Sequence, residues 1–165
     1  SDEYGLVAVD ICELEDLASI NISRAQEDDG GPAQYPWHEW FYSVWASIQD
    51  LSDKTEIERL SDAERAVYYI ALFEAQVMNG GLGQYLANTG GQFIDETIDC
   101  LTVVGASRTA AIVQKAIGLR EKGETYDEIW ETKTEQLERL DEELLAIAED
   151  LGKLAADKYC DDAPW

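Results

Sequence analysis

Residues 79–91 read NGGLGQYLANTGG, and five of the protein's 12 glycines fall within these thirteen positions. Apolar runs with helical spacing lead into the stretch from Ser61 and out of it from Phe93. Because glycine and asparagine tolerate left-handed backbone geometry, the stretch predicts a helix C-terminus followed by a tight turn. A phosphate-binding loop would require a Lys after the glycines or a strand before them, and the sequence offers neither. We therefore interpret the stretch as structural.

The flanking sequence predicts an all-α fold. Ser61 and Glu64 match a capping box at the start of a helix that runs to about Met78. Ser107 is the predicted N-cap of a later helix. No segment alternates apolar and polar residues as a half-buried strand does, and we predict a single compact multi-helix domain over residues 1–165. Four further segments repeat apolar side chains every three or four positions: residues 6–21, 36–51, 93–104 and 110–120.

The segment 36–51 carries an aromatic stripe, which we assign to the core. Its members are Trp37, Phe41, Val44, Trp45 and Ile48. The single histidine, His38, belongs to no recognisable catalytic triad. Glu74, one turn before Asn79, is the best candidate for an acid or base, although a structural hydrogen bond to the glycine turn is the preferred interpretation. The sequence thus predicts no catalytic, cofactor-binding or metal site.

The net charge is the unusual property of the composition. Twelve Lys and Arg against 35 Asp and Glu give a formal charge of −23 at pH 7 and a pI near 4.1. Such a surface repels nucleic acids and anionic membranes and attracts cations or basic proteins. Cys12, Cys100 and Cys160 lack C-x-x-C spacing and are expected to be free thiols. Without a signal-peptide pattern or a membrane-length apolar run, a cytoplasmic location is expected.

Residues 130–154 predict one long, acidic C-terminal helix. From Leu137 to Leu154, apolar residues recur in steps of three and four, as in a heptad seam, which either packs on its own domain or joins a homodimer. Carboxylates lie opposite the seam, with neighbours roughly 5 to 6 Å apart along the axis, in coarse imitation of a DNA phosphate strand. With an acidic loop they are the candidate partner-binding residues: Glu27, Asp28, Asp29, Glu128, Glu131, Glu135, Glu138, Glu142 and Glu149.

The glycine stretch, written Asn-Gly-Gly-x-x-Gln-Tyr-x-x-Asn-x-x-Gly, resembles the signature of a family of bacterial helical domains that includes a DNA-mimic protein. The resemblance covers about residues 60–120. It implies an all-helical, dimeric protein that occupies the DNA-binding face of a transcriptional regulator, such as a helix-turn-helix repressor, and so modulates gene expression. The structural motif consists of Asn79, Gly80, Gly81, Gln84, Tyr85, Asn88 and Gly91.

The acidity of the chain is compatible with three functions. A DNA mimic would bind a basic DNA-binding protein with an affinity that falls steeply with salt. An acidic helical enzyme or interaction domain of unknown substrate would need a site that the recognised catalytic motifs do not supply. A surface adapted to high salt would spread its acidity evenly and require molar salt to fold. The working hypothesis is the DNA mimic, which is no enzyme and needs no cofactor.

Overall fold

The computed structural model describes residues 36–160, and these residues form eight helices and no strand, in agreement with the predicted all-α class. The helices are α1 (Pro36–Ile48), α2 (Lys54–Glu58), α3 (Asp62–Thr89), α4 (Ile94–Val104), α5 (Ser107–Gly118), α6 (Tyr126–Thr132), α7 (Thr134–Leu145) and α8 (Leu151–Tyr159). None of these eight helices combines the length and the apolar composition needed to cross a bilayer. The predicted helix at 6–21 and the acidic loop at 27–32 lie outside the described residues.

The central element is α3, which contacts α1 and each of the helices from α4 to α8. It begins with the predicted capping box, in which Ser61 N–H donates to Glu64 Oε2 over 2.9 Å and Glu64 N–H donates to Ser61 Oγ over 3.3 Å. Residues 66–73 are buried on every side, as expected for a helix enclosed by others. One hydrophobic cluster joins residues from α1 to α8, so residues 36–160 form a single helical domain. Its extension to residues 1–165 stays a prediction.

The aromatic stripe of α1 lies in the core, as predicted. Trp37 rests against the start of α8, where a Cβ added to Gly152 would lie 3.1 Å from Trp37 Cη2. This close approach joins the last described helix to the first. The buried members of the stripe are Trp37, Phe41, Trp45 and Ile48, with Val44 partly buried at its edge.

Helix α4 confirms the helical spacing found at 93–104, and it buries Ile94, Thr97, Ile98 and Leu101. Gly105 ends it with a left-handed φ of 93°. The prediction that Ser107 caps the next helix is wrong. Ala106 occupies the N-cap position of α5, and its side chain makes no capping hydrogen bond.

The glycine stretch divides α3 into two helical halves. Only Gly80 (φ −154°, ψ 22°) and Gly81 (φ 76°, ψ −173°) leave helical geometry. The helix resumes at Leu82 and ends at Gly90, whose φ is 57°. The helix from Ser61 therefore ends at the first glycines as predicted, but a second helical segment follows at once in place of the expected turn, because Asp141 from α7 supplies the acceptor for the Leu82 N–H.

The single long helix predicted over residues 130–154 is also wrong. The segment forms α6, α7 and α8, with breaks at Lys133 and at residues 146–150. Asp150 is the N-cap of α8 and accepts the Lys153 N–H over 3.0 Å. The apolar seam packs within its own domain all the same, and its most buried members are Leu137, Leu140 and Leu151.

Candidate functional site

A carboxylate from α7 fills the break in α3. Leu82 N–H donates to Asp141 Oδ1 over 2.8 Å. A Cβ added to Gly81 would lie 2.9 Å from Asp141 Cγ, so the carboxylate reaches the backbone only because Gly81 has no side chain. Burial raises the pKa of Asp141, and the hydrogen bond from Leu82 opposes that rise. Asp141 thus caps the second half of α3, and Asn79 lies exposed just before the break.

Two further glycines let α6 lie directly against α3. A Cβ added to Gly83 would lie 2.7 Å from Trp130 Nε1, and one added to Gly91 would lie 2.9 Å from Tyr126 Cζ. Taken with the Asp141 contact, the order of these contacts shows that α6 and α7 run opposite to the second half of α3. The glycines therefore form the surface on which the acidic C-terminal helices dock.

The polar residues of the motif join the two halves of α3 and link α3 to α4. Gln76 is buried before the break, and its Oε1 accepts Gln84 Nε2 over 3.1 Å and Asn88 Nδ2 over 2.7 Å. Tyr85 O–H donates to Thr97 Oγ1 over 2.9 Å, and both residues are buried. All these contacts lie inside the domain.

Helix α7 presents an exposed row of carboxylates, hereafter the acidic row, made up of Glu135, Glu138 and Glu142. Their spacing of three and four residues puts them on one face, with buried Leu137 and Leu140 opposite. No ion pair within residues 36–160 involves any of the three. At 1.5 Å per residue the row extends over about 10 Å. It is an anionic surface held by a packed helix, and the exposed Arg139 on the same face offsets part of its charge.

The candidate glutamates of α6, Glu128 and Glu131, do not lie on the same helix as the acidic row. Glu128 belongs to a capping box, in which Thr125 N–H donates to Glu128 Oε2 over 2.7 Å. Glu131 is exposed near the end of α6. Lys133 then separates the two helices, and its Nζ donates to Glu121 Oε1 over 2.9 Å. The predicted row is thus divided at Lys133.

Glu149 faces the interior of the domain. Its carboxylate accepts Thr109 N–H over 2.9 Å, Thr109 Oγ1–H over 2.7 Å and Arg108 N–H over 3.2 Å. It therefore caps α5 from a distant loop, in the role expected of Ser107. The acids at 27–29, the remaining candidates, lie outside the described residues.

The acidity of the chain is unevenly distributed. Residues 124–150 hold eleven Asp and Glu against two Lys and Arg, whereas residues 36–123 hold twelve against seven. One of the eleven, Glu143, pairs with Lys115 over 2.7 Å. Residues 1–35 hold nine Asp and Glu against one Arg, so the surplus lies mainly in two segments of the chain. A salt-adapted surface was expected to be evenly acidic, and this uneven distribution favours localised binding surfaces.

The titratable groups around α1 and α8 are the remaining candidates for chemistry. Burial, and then the nearby Asp150 carboxylate, raises the pKa of Glu74 to about 8. Burial lowers the pKa of His38. Cys100 and Cys160 are free thiols, and burial raises the pKa of Cys100 to about 11, so it stays protonated at neutral pH. Within residues 36–160 no group of three His, Cys, Asp or Glu side chains is arranged to hold a metal ion.

Comparison with family models identifies a match over most of the described residues. The family model of DMP19-like proteins, named after DNA mimic protein 19, matches residues 58–162. The matched region is more than half of the chain, and it includes the glycine stretch and all of α3 to α8. It reaches well beyond the residues 60–120 over which the sequence resemblance was recognised. No curated protein and no solved structure matches the chain significantly.

Proposed function

This chain belongs to the DMP19-like protein family, and we propose that it is a DNA mimic that occupies the DNA-binding face of a basic transcriptional regulator. The observation that carries the proposal is the acidic row of α7, which is exposed and unpaired within the described residues. Its carboxylates take the place of phosphates, and the regulator's Arg and Lys side chains form charge-assisted hydrogen bonds with them.

The mechanism is competition for one surface. Each strand of B-DNA carries a charge about every 3.4 Å of helix axis, and the neighbouring glutamates of α7 stand roughly 5 Å apart along theirs. The match is coarse, so the acidic row holds the regulator's cations without copying the duplex atom by atom. While the mimic is bound, duplex DNA cannot reach the same cations. A helix-turn-helix repressor in the cytoplasm is the proposed target, and its release from DNA changes gene expression.

The homodimer stays a prediction, and it must use a surface other than the apolar seam. Leu137, Leu140 and Leu151 are buried in their own domain and are unavailable for pairing between copies. Sedimentation velocity at several protein concentrations measures the oligomeric state directly.

The test begins with capture of basic proteins from a bacterial lysate at low salt, followed by challenge with duplex DNA. A captured regulator is then purified, and its affinity for the protein is measured over a range of salt concentrations. The row variant replaces the acidic row: Glu135→Gln, Glu138→Gln and Glu142→Gln. The matched control removes three exposed charges on α2 and α4: Glu56→Gln, Glu58→Gln and Asp99→Asn.

The row variant is expected to bind the regulator about tenfold more weakly and with a smaller salt slope, since exposed ion pairs contribute about 0.2–1 kcal/mol each. The control is expected to change the affinity by less than about threefold. Equal losses in the two variants would show that only total charge matters. A captured regulator that duplex DNA fails to displace would contradict mimicry itself.

A further inference from the structure

Large apolar side chains are exposed around the break in α3. Met78 is 40% exposed, Trp130 41% and Leu145 64%. These are three of the four large apolar side chains exposed within residues 36–160, and the fourth, Val103, lies on α4. We call Met78, Trp130 and Leu145 the break patch. Exposed aromatic and apolar side chains that gather in one place mark interaction surfaces more often than scattered ones do.

All three members of the break patch lie close in sequence to the contacts that join α3 to α6 and α7. Trp130 lies against Gly83, just after the break. Leu145 follows Asp141 by one turn of α7, and Asp141 holds the backbone at the break. Met78 precedes Gly81 by one turn of α3. Each member therefore lies within a turn of a contact between α3 and the acidic helices.

The break patch adjoins the acidic row. Leu145 follows Glu138 by seven residues and Glu142 by three, so the three side chains share one side of α7. Glu131 directly follows Trp130 and is also exposed. Exposed apolar side chains thus lie near exposed carboxylates, and protein interfaces combine a hydrophobic core with a polar rim.

We propose that the break patch is the apolar anchor of the acidic surface, and that it binds apolar side chains which the partner presents between Arg and Lys residues. The inference rests on the proposed function and adds the source of its selectivity. Contacts through phosphate-like charges bind any basic surface and therefore discriminate poorly between one basic protein and another. Aromatic and apolar anchors at the centre of an interface supply a large share of its binding energy.

Charge complementarity favours a basic partner over a second copy of this chain. A symmetric contact through the break patch would bring Glu138 and Glu142 of one protomer close to those of its partner. Like charges placed together across an interface oppose association, and the net charge of −23 adds to that repulsion. A basic partner reverses the sign of both effects.

The test compares two synthetic helical peptides with the same number of Arg residues, measured by fluorescence anisotropy against the full chain. One peptide carries a stripe of Leu between the Arg residues, and the other carries Ser at those positions. The patch variant is Met78→Gln with Leu145→Gln, which leaves Trp130 on Gly83 and so preserves the docking of α6. The control variant is Val103→Gln, and thermal melts verify that all variants fold.

The wild type and the control variant are expected to bind the Leu peptide about tenfold more tightly than the Ser peptide. The patch variant is expected to lose this preference while its affinity for the Ser peptide stays unchanged. The row variant, Glu135→Gln with Glu138→Gln and Glu142→Gln, is expected to weaken both peptides by the same factor.

Equal affinities of the two peptides for the wild type, or a preference that survives in the patch variant, would overturn the inference and leave the proposed function standing. A wild-type dimer that the patch variant converts to a monomer would assign the patch to a second copy instead. Faster hydrogen exchange in residues 1–35 of the patch variant would assign it to the chain's own N-terminal segment. A regulator that duplex DNA fails to displace would contradict the proposed function independently of the peptides.

Discussion

Replacing Glu149 with Ala is expected to destabilise the domain while leaving partner binding unchanged. The Glu149 carboxylate accepts three hydrogen bonds, two from backbone amides at the start of α5 and one from the Thr109 hydroxyl. The side chain of Ala106, the N-cap residue, provides no substitute acceptor. The substitution therefore removes the only side-chain cap described for α5. It also leaves the Thr109 hydroxyl without its acceptor, and Thr109 is only 2% exposed.

The size of the effect follows from these contacts. Loss of an N-cap costs about 1 kcal/mol, and a buried donor left without its acceptor costs about 1–3 kcal/mol. Relief of self-repulsion returns a few tenths of a kcal/mol, because Glu149→Ala also removes one negative charge. The expected net loss of unfolding free energy is about 2–3 kcal/mol. For a domain of this size, that loss lowers the melting temperature by roughly 4–12 °C.

The assay is thermal and urea unfolding of the wild type, Glu149→Ala and Glu142→Ala. Glu142 is exposed and lies outside every ion pair described in residues 36–160, so its replacement removes the same charge without removing a cap. The Glu142→Ala variant is expected to stay within about 0.5 kcal/mol of the wild type. If the two variants melt together, the capping role of Glu149 is refuted.

Three further predictions concern α3. Gly81→Ala would place a Cβ against the Asp141 carboxylate at a residue whose φ is 76°, so it is expected to lower the free energy of unfolding by at least about 2 kcal/mol in urea titrations. The control, Gly118→Ala, places its Cβ in open space and is expected to raise that free energy by about 0.5 kcal/mol. The Glu74 pKa of about 8 exceeds its ordinary 4.5, so its contribution to stability is present at low pH and lost as the pH rises towards 8. The stability of the wild type relative to Glu74→Gln should fall over that range, and a constant difference would contradict the raised pKa. Tyr85→Phe leaves the buried Thr97 hydroxyl without its donor and is expected to cost about 1–2 kcal/mol, with near-zero loss counting against that bond.

The features that the sequence predicted correctly depend on residues a few positions apart. The capping box of α3 requires only Ser61 and Glu64, and both of its hydrogen bonds are present. The aromatic stripe of α1 depends on a repeat of three and four residues, and Trp37 and Trp45 are buried as that repeat predicted. Such signals are local, so the chain's distant contacts do not disturb them.

Two of the differences from the sequence predictions depend on a partner far away in the chain. The first glycines end a helix as predicted, but the second half of α3 was not predicted, because the Asp141 carboxylate that accepts the Leu82 N–H lies 59 residues away. The long helix was predicted because apolar residues keep the helical spacing through residues 146–150. Ile147 packs on the core there, but it does so from a loop. The spacing of apolar residues shows which side chains are buried, but it does not show whether the backbone that joins them is helical.

The candidate site was predicted in part for the same reason. Glu135, Glu138 and Glu142 are exposed, as their position opposite the seam indicated. Glu149 fits the same repeat but faces inward, because the chain leaves the helix before reaching it. Asp141 lies between the acidic row and the seam, and nothing in its neighbourhood identified the α3 backbone as its partner.

The docking of α6 and α7 on glycines separates the scaffold from the surface that it displays. Gly83 and Gly91 receive the rings of Trp130 and Tyr126, so the inner side of these helices is fixed by shape. The outer positions, among them Glu135, take no part in that fit. Surface residues can therefore be exchanged one at a time on a constant framework. The same property makes α7 a convenient helix for redesign, because its outer residues can be replaced without changing the packing beneath them.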